Sequence, residues 1–260
     1  MNRPWSALSS LLAVAPLAVA LLAVGGAAQA ADAIDAAVAH AGRPAADITR
    51  DATDHPAAVL RLAGIRPGMT VADVLAGDGY YSELLGYVVG PKGHVIMLNN
   101  SAFEHWSEPD LPNRIASNRM TNVTHQLSEL DDMKLPAASL DAVLLVKVYH
   151  DLYWVDAKPN SPWPKINVPA VLDQLSKALK PGGVLLLVDH SAKAGTGTAD
   201  AGTLHRIDQA YAIKDLESHG LKLVKKSDLL KMPGDARDQL TYKGPMLGKT
   251  DRFILVFKKV

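Results

Sequence analysis

The chain has 260 residues and no cysteine, which excludes disulfides, thiol nucleophiles, zinc–cysteine sites and a lipid-modified cysteine anchor. Basic and acidic residues balance at 27 each with no basic stripe, which argues against a nucleic-acid partner. Hydrophobic residues make up 48%, enough to fill the core of one large domain.

The N-terminus reads as an export leader. Arg3 supplies a positive charge, residues 11–24 form an apolar run broken by Pro16, and Ala28-Gln29-Ala30 is an A-x-A cleavage signature. The run is short of the ~20 apolar residues a spanning helix needs. This predicts a signal peptide at 1–30, a linker at 31–46 and one domain at 47–260, in a periplasmic or secreted protein with no membrane span after cleavage. The alanine-rich residues 31–46 predict a loose linker or a short helix. Residues 47–64 read as helix, its second part opening at His55-Pro56, because proline suits a first turn.

Strands and helices then alternate. Residues 71–75 predict a strand, 81–88 a helix, 95–98 a second strand, and 102–117 a polar helical segment interrupted by Pro109 and Pro112. Residues 123–127 predict a more polar third strand. The nearly unbroken apolar run 140–148 predicts a central strand covered on both faces. A helix over 168–179, the turn Pro181-Gly182-Gly183 and a fifth strand over 184–188 follow. A glycine-rich loop at 194–202 leads to a helix from about His205 to Ser218, and residues 221–226 and 253–258 predict two late strands. Five strands alternating with helices imply a parallel, doubly wound α/β sheet, and two final strands without a long helix between them imply an antiparallel edge.

The turn Val71-Ala72-Asp73-Val74-Leu75-Ala76-Gly77-Asp78-Gly79 ends a strand and opens a helix, where glycines let a ligand approach the backbone. With Leu179-Lys180-Pro181-Gly182-Gly183 and the strand that follows it, this resembles the class I S-adenosylmethionine-dependent methyltransferases over roughly residues 50 to 260. More narrowly it resembles a family of exported predicted methyltransferases, on Tyr149-His150-Asp151, Asp189-His190-Ser191-Ala192 and Leu204-His205-Arg206-Ile207-Asp208. The resemblance implies a Rossmann-like seven-stranded sheet with a reversed last hairpin. It also implies S-adenosylmethionine across the C-terminal ends of the first strands, the usual ligand position in open α/β sheets. Gly77 and Gly79 would border the cofactor, Asp73 would brace the turn, Tyr81 would open the next helix beside it, Asn99 would face the ribose, and Asp131 and Asp132 would lie near the adenine. Leu75 stands where the family usually has glycine, and Asn99 where it usually has a carboxylate.

The same fold would gather His150, Asp151 and His190 at one sheet edge, with His205, Arg206 and Asp208 on a covering loop. Imidazole and carboxylate transfer protons near neutral pH and also bind divalent metals. His150 or His190 is the candidate base, with Asp151, His205 and Asp208 as catalytic partners. Tyr149, Arg206, Trp154, Arg50 and His55 are candidate substrate contacts. Trp154 belongs to an aromatic, proline-rich loop at 152–169. Asp251-Arg252 is expected to make a structural ion pair. The expected function is methyl transfer to a small molecule. Two alternatives stay open: a methyltransferase fold that has replaced its cofactor with metal-dependent or acid–base chemistry, and a binding protein without catalysis.

Overall fold

The computed structural model describes residues 17–260 except 157 and 159, with side chains from residue 28 onward. Arg3 and Pro16 of the expected leader lie outside the described residues. The first helix, α1 (Leu17–Val38), runs through Ala28–Ala30 and into the expected linker. Its Ile34 and Ala37 are buried, so residues 31–38 are packed helix instead of loose chain. Among the described residues no helix is long and apolar enough to cross a membrane.

Helices α2 (Ala45–Asp54) and α3 (Pro56–Ala63) are separated by His55, whose left-handed φ of 45° breaks the helix at the expected His-Pro junction. Seven strands follow: β1 (Thr70–Val74), β2 (His94–Asn99), β3 (Val123–Leu127), β4 (Leu140–Val146), β5 (Leu179–His190), β6 (Leu221–Ser227) and β7 (Arg252–Lys259). They form one sheet in the order β3-β2-β1-β4-β5-β7-β6. The first five are parallel, while β7 runs antiparallel to both neighbours.

Side chains alternate across this sheet with the two-residue period of a strand. Ala142, Leu144, Leu186, Val188, Ile254 and Val256 point into one core with α1, α3 and α4 (Tyr80–Val89). Val143, Leu145, Leu185, Leu187, Phe253 and Leu255 point into the other, under α7 (Val168–Ala178) and α9 (Gln209–Ser218). Helices on both faces leave the strand ends as the place for a site.

The polar segment after β2 forms two short helices, α5 (Ser101–Trp106) and α6 (Asp110–Ala116). The helix expected from His205 begins only at Gln209. A short helix, α8 (Ala201–Leu204), precedes it, and His205 takes a left-handed φ of 52° at its end. A bridge between Ser191 and Ile207, with Ile207 N–H donating to His190 C=O at 3.0 Å, folds this segment back over the end of β5.

Candidate active site

A cavity of about 740 Å³ opens at the C-terminal edge of β4 and β5. Its polar wall comes from strand ends and its apolar wall from Phe103, Trp106, Trp154 and Tyr242. Trp163 is buried behind them and stacks on Trp106 and Trp154, with centroids 5.8 and 5.9 Å apart. The expected aromatic loop is therefore real, and Trp106 on α5 completes it.

His150, Asp151, His190 and His205 all line this cavity. His150 and Asp151 open a 3₁₀ turn (His150–Tyr153) just after β4. Asp189, fully buried at the end of β5, accepts from the His150 backbone N–H at 2.8 Å and from His150 Nδ1 at 2.7 Å. Burial disfavours a charge on His150, but Asp151 and Asp189 override it and raise its pKa to about 10. His190 behaves in the opposite way. Burial, then the charges of His150, Lys147 and Arg252, push its pKa well below the ordinary value, so its ring is neutral at pH 7. Its Nδ1 meets Thr250 Oγ1 at 2.8 Å. Of the two candidate bases, His190 is the one with an unprotonated ring.

Beside His190 lies a knot of cations. The β5–β7 register sets Arg252 opposite His190. Asp54, at the end of α2, accepts from Arg252 Nη1 at 2.6 Å, Arg50 Nε at 2.7 Å and Lys147 Nζ at 2.8 Å. Burial alone would raise the Asp54 pKa, but Lys147, Arg50 and Arg252 hold it well below the usual carboxylate range. Lys147 is lowered to about 8 by burial and by Arg50, against the pull of Asp54. Arg252 Nε is buried and has no hydrogen-bond partner. Lys147 and Asp54 were not singled out from sequence, and Arg252 was expected only in a structural ion pair. Lys147 carries a signal all the same, as a lysine ending an apolar central strand, and it takes φ 62° there. Asp251-Arg252 does make ion pairs, but with distant partners: Asp251 meets Arg237 at 2.8 Å.

Several expected contacts have other roles. Arg206 is 0% exposed, pairs with Asp235 through both Nη atoms and donates to the Ser191 and Gln239 carbonyls. It fastens the loops under the site. Asp208 caps α9 by accepting from Ala210 N–H at 2.9 Å, and accepts from Gly195 N–H at 2.7 Å. Tyr149 is fully buried and donates to Asp215. His55 is exposed at the α2–α3 break. Arg50 binds Asp54 and lies 3.9 Å over the Tyr80 ring.

Around the glycine turn, Asp73 accepts from Ser82 Oγ at 2.7 Å and so ties β1 to α4. Burial raises its pKa to about 7, against the Ser82 hydrogen bond. Leu75 adopts φ 55°, a conformation suited to the family's glycine, but its side chain is buried in the core and does not project over the turn. Gly79 caps α4; a Cβ there would lie 2.8 Å from Met97 Sδ and 3.1 Å from Arg114 Cδ. Arg114 accordingly clamps the turn, donating to Asp78 C=O at 2.6 Å and to Asp47 on α2 at 2.8 Å. Tyr81 is buried in the core, and Asp131 and Asp132 are exposed on a 3₁₀ turn.

These residues suit S-adenosylmethionine at two points. A Cβ on Gly77 would meet nothing nearer than Ser107 Oγ at 3.8 Å, so a ligand can reach that backbone. Asn100 Nδ2 is a buried donor without a partner, one residue past β2. Asn99 departs from expectation. Its Oδ1 accepts from Gly77 N–H and its Nδ2 donates to Gly77 C=O, each at 2.9 Å, so its amide is engaged with the turn and does not face a ribose.

An open, doubly wound sheet with a reversed terminal hairpin and a cavity at its C-terminal edge defines an α/β protein with a candidate ligand site. No protein-family model matches the chain. A crystal structure of an S-adenosylmethionine-dependent methyltransferase from Aquifex aeolicus is similar over 82% of this chain and 93% of that one, with a TM-score of 0.58 and 20% identity. The [4+2]-cyclase SpnF is similar over 80% of both chains, with a TM-score of 0.55 and 12% identity. The ubiquinone/menaquinone biosynthesis C-methyltransferase UbiE of Shewanella oneidensis is 22% identical over 170 residues, 65% of this chain; the match spans 59% of that relative's length. The fold is the one seen in S-adenosylmethionine-dependent methyltransferase structures.

Proposed function

We propose that the protein transfers a methyl group from S-adenosylmethionine to a small, planar acceptor bearing an anionic oxygen. The observation that carries this reading is the cavity itself, which is lined by a neutral histidine, the cationic side chains of Arg252 and Lys147, and aromatic rings. When bound, the cofactor supplies an electrophilic methyl group. Gly77 and Asn100 would hold it, the first by leaving room for close approach at its Cα and the second through its free amide hydrogens. The positive charges of Arg252 and Lys147 in the cavity wall attract and orient the acceptor's oxygen. Trp106 and Trp154 stack on its plane and exclude water. With Nδ1–H donated to Thr250 Oγ1, His190 Nε2 keeps its lone pair and takes the proton an acceptor hydroxyl loses.

The fold alone does not choose this chemistry, since SpnF, a [4+2]-cyclase, shares it. The test is calorimetric titration of the full chain with S-adenosylmethionine and S-adenosylhomocysteine. Micromolar binding of either supports methyl transfer. No binding by folded protein overturns it. Export is the second part of the proposal, supported by the A-x-A signature at Ala28–Ala30. N-terminal sequencing of chain recovered from the periplasm is expected to begin at Ala31, which leaves the packed Ile34 and Ala37 in place.

A further inference from the structure

Three acceptor atoms converge at the cavity wall. His150 Nε2 lies 3.2 Å from Asp151 Oδ1, His205 Nδ1 lies 3.2 Å from the same oxygen, and the two ring nitrogens are 3.1 Å apart. Among the described residues no other three histidine, aspartate or glutamate side chains converge in this way. The three atoms make a nearly equilateral triangle. A tetrahedron of that edge has its centre ~2.0 Å from each corner, which is the length of Zn–N and Zn–O bonds.

The backbone works to make this triangle. His150 and Asp151 arrive on the turn after β4. His205 comes from the opposite side, held in a left-handed conformation that a non-glycine residue adopts only at a cost. Asp189 takes the Nδ1–H of His150 at 2.7 Å, so Nε2 is the ring atom that faces the other two, and a metal bound there displaces its proton. That is the carboxylate–histidine arrangement which orients imidazoles for metals. One proton placed among three acceptors satisfies them incompletely, whereas one divalent ion satisfies all three.

We propose that His150 Nε2, Asp151 Oδ1 and His205 Nδ1 bind a divalent transition-metal ion of zinc type, with its remaining coordination position open to the cavity. Two imidazoles and one carboxylate are a donor set of intermediate softness that suits Zn²⁺ and its first-row neighbours, and an open position is what separates catalytic from closed structural sites. An acceptor's anionic oxygen would meet the ion there. The metal site rests on the geometry of these three side chains and not on methyl transfer.

The experiment is calorimetric titration of the full chain with ZnCl₂, after chelator treatment and desalting. One ion per chain is expected, with a rise in melting temperature. Asp151→Asn and His205→Gln are each expected to abolish binding. Asp189→Asn is expected to weaken it by ~10–100-fold, the usual effect of losing the carboxylate behind a ligand histidine. His219→Gln, at a partly buried histidine paired with Asp173 and away from the three ligands, is expected to leave it unchanged. Circular dichroism establishes that each variant is folded. Cobalt substitution adds a visible absorption band that surface binding does not give. Folded wild-type chain that takes up no zinc overturns the proposal. So does zinc binding of equal affinity in Asp151→Asn and His205→Gln. Zinc binding without S-adenosylmethionine binding leaves the metal site standing and removes the methyl-transfer reading.

Discussion

Asp54 and Arg252 are 198 positions apart in the chain and 2.6 Å apart in the fold. Their contact ties α2 to the first residue of β7 in the wall of the cavity. It also makes Asp54 the carboxylate that holds Arg50, Lys147 and Arg252 together. Asp54→Asn leaves those cations without a buried anion and is expected to cost ~3–5 kcal/mol, the usual effect of breaking one side of a buried ion pair. Urea unfolding at neutral pH measures it. A loss below ~1 kcal/mol would mean that water already screens the cluster.

Lys147 titrates inside the working range. Its pKa is about 8 in the folded chain and 10.5 in the unfolded chain. Between these values the unfolded chain binds more protons, so the Lys147 contribution to stability rises with pH across that window. Anion binding goes the other way, because the ammonium is lost as pH rises through about 8. Benzoate, read by tryptophan fluorescence, is expected to bind more weakly at pH 9 than at pH 7. Lys147→Met is expected to bind weakly at both. A flat wild-type profile would remove Lys147 from the anion contact, leaving Arg252.

Asp73 illustrates the opposite sign. Burial raises its pKa from 3.8 to about 7. Between these values the folded chain binds more protons, so this group's contribution falls as pH rises through the window and stays low above it. Asp73→Asn removes that penalty while keeping an acceptor for Ser82. The difference in stability between variant and wild type is expected to move in the variant's favour from pH 4 to pH 8, by at most roughly 4 kcal/mol at about 1.4 kcal/mol per pKa unit. Thermal melts at the two pH values check it. A pH-independent difference would place the Asp73 pKa near its ordinary value.

Leu75 sets two effects against each other. Its left-handed backbone costs ~1–2 kcal/mol relative to glycine. Its buried side chain is worth ~2–5 kcal/mol. Leu75→Gly is therefore expected to destabilise the fold by about 1–3 kcal/mol while leaving cofactor affinity unchanged, since the side chain points into the core. Tighter binding of S-adenosylhomocysteine by this variant would show instead that Leu75 crowds the ligand.

Arg206 was expected at the substrate and sits in the interior. Arg206→Lys loses the fork to Asp235 and is expected to cost ~2–4 kcal/mol of stability, with ligand affinity intact in the folded fraction. Unchanged melting with weakened ligand binding would return Arg206 to the site.

The fold was legible because its signals are local. Apolar runs such as 140–148 mark a strand, and the glycines Gly77 and Gly79 mark a strand end, without reference to the rest of the chain; Pro181-Gly182-Gly183, expected as a turn before the fifth strand, lies within β5 where its register against β4 shifts. His150, Asp151 and His190 were legible as a group because strand ends in an α/β sheet face one way. Asp208 and Arg206 misled because a polar residue on a covering loop looks the same in sequence whether it caps a helix, fastens a loop or meets a ligand. Asn99 misled because its position was right while its amide had a nearer partner in Gly77.

The alternation of strands and helices by itself pointed to the doubly wound sheet and to two late strands at its antiparallel edge, since two-residue and helical repeats are properties of contiguous chain. Only the tertiary structure decided which polar groups share that edge. Asp54 joins Lys147 and Arg252, and His205 joins His150 and Asp151, through contacts spanning tens to hundreds of residues. Such contacts leave no periodic trace. They depend on how α2 and the segment after β5 fold back over the strand ends, on the carboxylates that make one histidine a cation despite its burial, and on the burial that keeps its neighbour neutral.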